Sequence, residues 1–172
     1  VMGMGLGREP ETEQALSEII PLCSKTVIDA DALLPELPLK GIVTPHAGEF
    51  KRISDISLSD LPYRARIEPV RRYARERDLV VLLKGNVDLI SDGEVVRANA
   101  TGNPGMTVGG TGDVLAGITA AFYARASPLR AAAAAAFVNG RAGDLAYLER
   151  DYGMMATDVI EKIPLAMRVD GS

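Results

Sequence analysis

Apolar positions in the first half of this chain switch between two periods. Short, nearly continuous apolar runs at Val1-Met2, Thr26-Val27-Ile28, Gly41-Ile42-Val43 and residues 79–83 predict strands. Between them, residues 11–22 carry apolar side chains at 15, 16, 19, 20 and 22. Pro10, Glu11 and Glu13 stand in front, the proline and acids that open a helix. Residues 67–77 set Ile67, Val70, Tyr73 and Ala74 on one helical face. Strands alternating with helices predict crossover units and a parallel sheet. The unbroken run Leu79-Val80-Val81-Leu82-Leu83 suits a strand buried on both faces. Residues 52–62 are polar and turn-rich, which predicts a loop or an edge.

The order changes after Leu83. Residues 87–90 and 94–98 flank Ser91-Asp92-Gly93, and Asp-Gly between extended runs predicts a hairpin. A glycine-rich loop over 101–112 follows, and then two or three helices. Val114, Ile118, Ala121 and Phe122 stripe the first of these. Six alanines at 131–136 open the apolar part of the next, where small side chains predict close packing. The expected fold is α/β: a mainly parallel central sheet flanked by helices, in a single domain over residues 1–172.

Composition narrows the function. With 172 residues and 47% hydrophobic residues the chain can bury one sizeable core. A net charge of −4 argues against nucleic acid or an anionic membrane as partner. A lone cysteine, Cys23, excludes an internal disulfide, and with a lone histidine, His46, leaves no ordinary zinc ligand set. No apolar run reaches the roughly 18 residues of a membrane helix, so a soluble, cytoplasmic protein is expected. The chain opens at Val1 on what reads as a strand end entering a glycine turn. A missing N-terminal portion is therefore expected.

Each apolar run is followed at once by groups suited to a charged ligand. The first meets Gly3, Gly5 and Gly7, and the second Asp29 and Asp31. The third meets His46 and Glu49, and the fourth Lys84 and Gly85. In an open parallel sheet such strand ends share one edge, where ligands bind. Gly3-x-Gly5-x-Gly7 fails the dinucleotide fingerprint, because Arg8 stands where a third glycine belongs. Asp31 reads as a possible cap of a short helix over 32–34. The strongest motif is Gly105-Met106-Thr107-Val108-Gly109-Gly110-Thr111-Gly112-Asp113. A helix starting near Thr111 presents free N–H groups and partial positive charge to a flexible glycine loop, an anion site fit for a phosphate in transfer. Asp113 has two readings of about equal weight. It offsets the helix dipole, or it takes the proton from a hydroxyl attacking phosphorus.

These motifs together resemble a known family. Val27-Ile28-Asp29-Ala30-Asp31-Ala32-Leu33, Thr44-Pro45-His46-Ala47-Gly48-Glu49, Leu83-Lys84-Gly85 and Gly102-Asn103-Pro104-Gly105-Met106, running on to Gly109-Gly110-Thr111-Gly112-Asp113, are similar in order and content to the ADP/ATP-dependent NAD(P)H-hydrate dehydratases. These are metabolite-repair enzymes of the ribokinase-like superfamily, and the likeness covers nearly the whole chain.

The resemblance implies a hydro-lyase reaction on hydrated NADH or NADPH: a nucleotide phosphorylates the ring hydroxyl and phosphate then leaves. It implies Asp113 as base and substrate contact, with Gly110, Thr111 and Gly112 as the anion hole. Gly5 and His46 would touch the hydrated dinucleotide. Lys84, Gly85, Asn86, Val87, Asp88 and Gly112 would bind ADP or ATP, and Glu49 would organise Mg2+. Asp88 stands where many members carry threonine, so contact there is expected from backbone rather than side chain. Family members begin with further strand–helix units, so the chain reads as the C-terminal part of a complete domain. A homo-oligomer and a fused epimerase domain are further expectations. The rival readings are a ribokinase-like kinase for a vitamin precursor and an inactive nucleotide-binding fragment.

Overall fold

A computed structural model describes residues 1–168. Its sheet has five strands in the order β1 (Val27–Ile28), β2 (Ile42–Val43), β3 (Val80–Leu83), β4 (Asp88–Ser91) and β5 (Val96–Asn99). β1, β2 and β3 run parallel, in the register Ile28–Val43–Val81. β4 and β5 return antiparallel, with Leu82 opposite Ile90 and Leu89 opposite Ala98. The predicted strand at Val1-Met2 shrinks to a single parallel bridge, Met2 to Ile28. The predicted hairpin is present. Asp92 Oδ1 accepts from the amides of Glu94 and Val95, an Asx turn that lengthens the loop and delays β5 to Val96.

Helices cover both faces. α1 (Pro10–Leu22), α2 (Ala47–Ser54) and α3 (Tyr63–Arg77) lie on one side, and α4 (Thr111–Tyr123), α5 (Pro128–Arg150) and α6 (Ala156–Ala166) on the other. Strand side chains alternate between the two layers. Ile28, Val43, Val81, Leu83 and Leu89 face the first, while Val27, Ile42, Val80, Leu82 and Ile90 face the second. Burial on both faces explains why β3 reads as an unbroken apolar run.

Several local expectations differ from the fold. Residues 52–54 are the last turn of α2 rather than loop, and α3 begins at Tyr63, four residues earlier than its apolar stripe. Helix α2 was hidden because its apolar side chains are few; its N-terminus is instead fixed by a side-chain cap described below. In α1 only Leu16 and Ile20 are buried, and Leu22 is 85% exposed. In α4 the fully buried residues include Leu115, Ile118 and Thr119, while Val114 and Phe122 are only partly buried against the same layer and Ala121 is exposed. The alanine run behaves as expected: Ala131, Ala132, Ala135 and Ala136 are all buried against the sheet layer.

Candidate active site

Parallel strands in register bring their C-terminal ends to one edge, and the charged groups that follow them collect there. Asp29 follows β1, His46 lies three residues beyond β2, and Lys84 follows β3. A parallel bridge between His46 and Lys84 joins two of these ends. Lys84 Nζ lies 2.8 Å from Asp29 Oδ1 and 3.5 Å from Glu49 Oε2. Asp29 is buried and Glu49 nearly so, so one ammonium is shared by two carboxylates largely withdrawn from water.

His46 works as a helix cap. Its Nδ1 accepts from the amides of Gly48 and Glu49, while Glu49 Oε2 accepts from the His46 amide at 2.8 Å. This reciprocal capping box starts α2 and fixes the ring. With Nδ1 accepting, neutral His46 carries its proton on Nε2, which lies 3.5 Å from Glu49 Oε1. The ring itself is more than half exposed, on a ridge between two cavities.

The glycine-rich loop reaches the same edge from the other side. Thr111 Oγ1 donates to the Met106 or Val108 carbonyl, tying the loop to the start of α4. Gly110, at φ 94°, turns the chain into the helix. The amides of Thr111, Gly112 and Asp113 have no hydrogen-bond acceptor among the described residues, and no side chain caps them. They form the free positive end of α4. A Cβ at Gly112 would lie 3.6 Å from Lys84 Nζ and 3.9 Å from Asp29 Oδ2. Gly112, at the helix start, therefore lies next to the strand-end charges.

Two residues that the sequence did not single out hold this loop against α5. Asp144 accepts from the Gly102 amide at 3.1 Å and from Asn103 Nδ2 at 2.9 Å. Gly140 admits the Thr101 backbone, since a Cβ there would meet its carbonyl at 2.6 Å. A separation of about forty residues leaves no local signal for either contact.

The first cavity, about 540 Å³, opens between loop and strand ends. His46, Lys84, Gly85, Asn86, Asp88, Thr111 and Gly112 all line it, with Leu115, Ala136 and Asn139 deeper in. Val87 faces a second hollow of about 610 Å³ on the far side of the His46–Lys84 ridge, beside Tyr63 and Arg66. Asp88 is not free to reach a ligand with both oxygens. Oδ1 accepts from the Gly85 amide and Oδ2 from Asn99 Nδ2. Burial pushes its carboxyl above the ordinary range, opposed by those hydrogen bonds and by the charge of Lys84. Its side chain thus shapes the Lys84-Gly85 turn.

Three expected residues stand apart. Gly110 and Asp113 line neither cavity; Asp113 is exposed in the first turn of α4, beside the wall that Gly112 forms. Gly5 also lines neither cavity, and a Cβ on it would meet nothing within 4 Å. Asp31 caps no helix. The short 3-10 turn is Ala30–Ala32, and Asp31 instead accepts from the Gly7 amide and Arg8 Nε, closing the glycine turn. Among the described residues no three of His, Cys, Asp and Glu are grouped to hold a metal ion. The carboxylates at hand are Asp29 and Glu49, a donor set that fits magnesium only as a guest carried by phosphate oxygens.

The chain is similar to known proteins over nearly its whole length. A family model described as NAD(P)H-hydrate dehydratase matches residues 1–165. The chain is 42% identical over 169 residues to the bifunctional NAD(P)H-hydrate repair enzyme Nnr of Archaeoglobus fulgidus, covering 97% of this chain and 34% of that protein. It is 40% identical over 174 residues to the ADP-dependent (S)-NAD(P)H-hydrate dehydratase of Cenarchaeum symbiosum, covering 97% of this chain and 60% of that one. Among solved structures, the ADP/ATP-dependent NAD(P)H-hydrate dehydratase of Bacillus subtilis, co-crystallized with ATP/Mg2+, superposes with a TM-score of 0.86 at 27% identity, over 96% of this chain and 62% of that one. A hydroxyethylthiazole kinase from Pyrococcus horikoshii shares the fold, with a TM-score of 0.73 at 20% identity over 94% of this chain and 68% of that one. The chain thus spans about a third of the bifunctional relatives and about 60% of the shorter ones.

Proposed function

This chain belongs to the NAD(P)H-hydrate dehydratase family, and from that premise we propose that it supplies the phosphoryl-transfer site of a nucleotide-dependent enzyme that dehydrates hydrated NADH or NADPH. The observation that carries this reading is the α4 start. The amides at 111–113 have no acceptor among the described residues, and Lys84 Nζ lies 3.6 Å from where a Cβ of Gly112 would stand, so a phosphoryl group bound at the helix start would have both the amides and the ammonium as donors.

The steps follow from that placement. Lys84 and the backbone of Gly85 and Asn86 bind the phosphates of ADP or ATP on the floor of the first cavity. Asp113 takes the proton from the hydroxyl of the hydrated ring as its oxygen attacks the terminal phosphorus, and the shortened nucleotide leaves. The amides of Thr111 and Gly112 hold the transferring oxygens. Phosphate then departs from the ring with a ring proton, and the double bond returns. His46 Nε2–H, fixed by its cap, offers a donor to the dinucleotide, and the Gly5 turn after Met2 offers a second contact. Glu49 would hold magnesium brought in with the nucleotide, which would supply neutralisation of the phosphate charge there. ADP as donor is supported by the name of the Cenarchaeum relative.

The direct test is spectroscopic. Hydrated NADH given to the full-length protein with ADP and magnesium should regain its 340 nm absorbance and release one phosphate per turnover. A stable phosphoester of the substrate would instead mark a kinase. Residues 1–172 act in this reading as one unit of a cytoplasmic protein. Among the described residues no helix is long and apolar enough to cross a membrane. Exposed apolar side chains on the last helices, Leu148, Tyr152 and Ile160, support a homo-oligomer. Light scattering should give a mass above one chain; a monomer at micromolar concentration counts against it.

A further inference from the structure

Asp29 is held with unusual care for a residue with no assigned part. Its amide donates to the Met2 carbonyl at 3.0 Å, and its carbonyl accepts from the Ala32 amide. That carbonyl sits against Gly3, at φ 127°, where any Cβ would collide with it. Ala30, next in the chain, takes the left-handed conformation at φ 50°, which costs a non-glycine residue about 1 kcal/mol or more. Arg52 offsets this by donating to the Ala30 and Leu33 carbonyls at 2.7 Å. Backbone strain and glycine turn together fix where the Asp29 carboxylate points.

It points at Lys84. The side chain is 2% exposed, Oδ1 is 2.8 Å from Lys84 Nζ, and Oδ2 is directed towards Gly112. Among the described residues, Lys84 is otherwise restrained at its tip only by Glu49, at the longer distance of 3.5 Å. A lysine has four flexible side-chain bonds, so an ammonium that must meet a phosphate at one place gains from being anchored there.

We propose that Asp29 is a positioning residue for the nucleotide phosphate: it binds no ligand itself but holds the Lys84 ammonium across from the free amides of α4. The proposal rests on the functional reading above. It separates two opposed effects of one carboxylate. Through Lys84 it favours phosphate binding, and as a nearby negative charge it opposes it. The first prevails while Lys84 is present, because a charge-assisted hydrogen bond is lost when the ammonium wanders. The second alone remains when Lys84 is removed.

A double-mutant cycle on ADP affinity tests this in the full-length protein, by calorimetric titration with magnesium present. Asp29→Asn should weaken ADP binding about tenfold or more with Lys84 in place. In the Lys84→Met background the same change should leave affinity unaltered or improve it. An equal loss in both backgrounds, or no loss in either, overturns the proposal. Thermal melts accompany each variant. Should Asp29→Asn not fold, Asp29→Glu enters the same cycle with the same expected loss, since one added methylene moves the carboxylate off the ammonium. Failure of the wild-type protein to bind ADP overturns the functional reading, and this inference with it.

Discussion

Asp113→Asn is expected to lower the turnover of hydrated NADH at least about 100-fold, the usual contribution of a positioned general base. Its side chain is exposed in the first turn of α4, where its structural part is to offset the helix dipole. Loss of that charge should cost no more than about 1 kcal/mol of stability. The three amides of the helix start belong to the backbone and survive the substitution, so ADP affinity should move little. Turnover, unfolding in urea and ADP titration on one preparation read all three. Near-wild-type turnover would remove Asp113 as the base, leaving only its dipole part. Loss of turnover together with loss of folding would show that the carboxylate is structural.

Gly112→Ala should likewise spare the fold but act on the other step, weakening the nucleotide. Gly112 is not in the left-handed region, and a methyl there meets Lys84 Nζ and Asp29 Oδ2 at ordinary contact distances, 3.6 and 3.9 Å. Alanine is also the better helix former by up to about 1 kcal/mol. Melting temperature should therefore hold or rise slightly. In the proposed site the methyl would crowd the Lys84 ammonium beside the free amides, where the phosphate would bind. Loss of one charged hydrogen bond to phosphate corresponds to about 10- to 100-fold in ADP affinity. Unchanged affinity in a folded variant would show that the phosphate does not lie over Gly112. Gly110→Ala is a poorer test, because φ 94° strains any other residue whatever its function.

Much of this architecture is legible along the chain because its signals are local. β3 announces itself as five apolar residues in a row, and the hairpin by Asp92-Gly93. Helix α4 follows a glycine loop whose next residues must leave amides free. The helical faces were harder to read. In α1 the period marks Ile19 and Leu22, yet both are exposed, because only the Leu16–Ile20 edge meets the sheet layer. Helix α2 carries few apolar side chains and starts at a histidine cap, a residue outside the common capping set, so neither period nor cap marks it in the sequence.

The site divides in the same way. From residues alone came the list of polar groups that follow each strand, and the free amides of the helix start near Thr111, because both depend on neighbours within a few positions. Tertiary structure decided how those groups are used. It made His46 a cap and Asp31 a latch on the glycine turn. It closed Asp88 onto the Gly85 amide, and it set Asp29 and Glu49 on a single ammonium. It also supplied Asp144 and Gly140, which seat the loop from α5. A strand fixes which side chains leave its end, but an ion pair between residues 29 and 84 exists only once parallel register has placed two strand ends a few ångströms apart. Distance in space, which governs charge and hydrogen bonding, is a property of the folded sheet and is not written in the order of its residues.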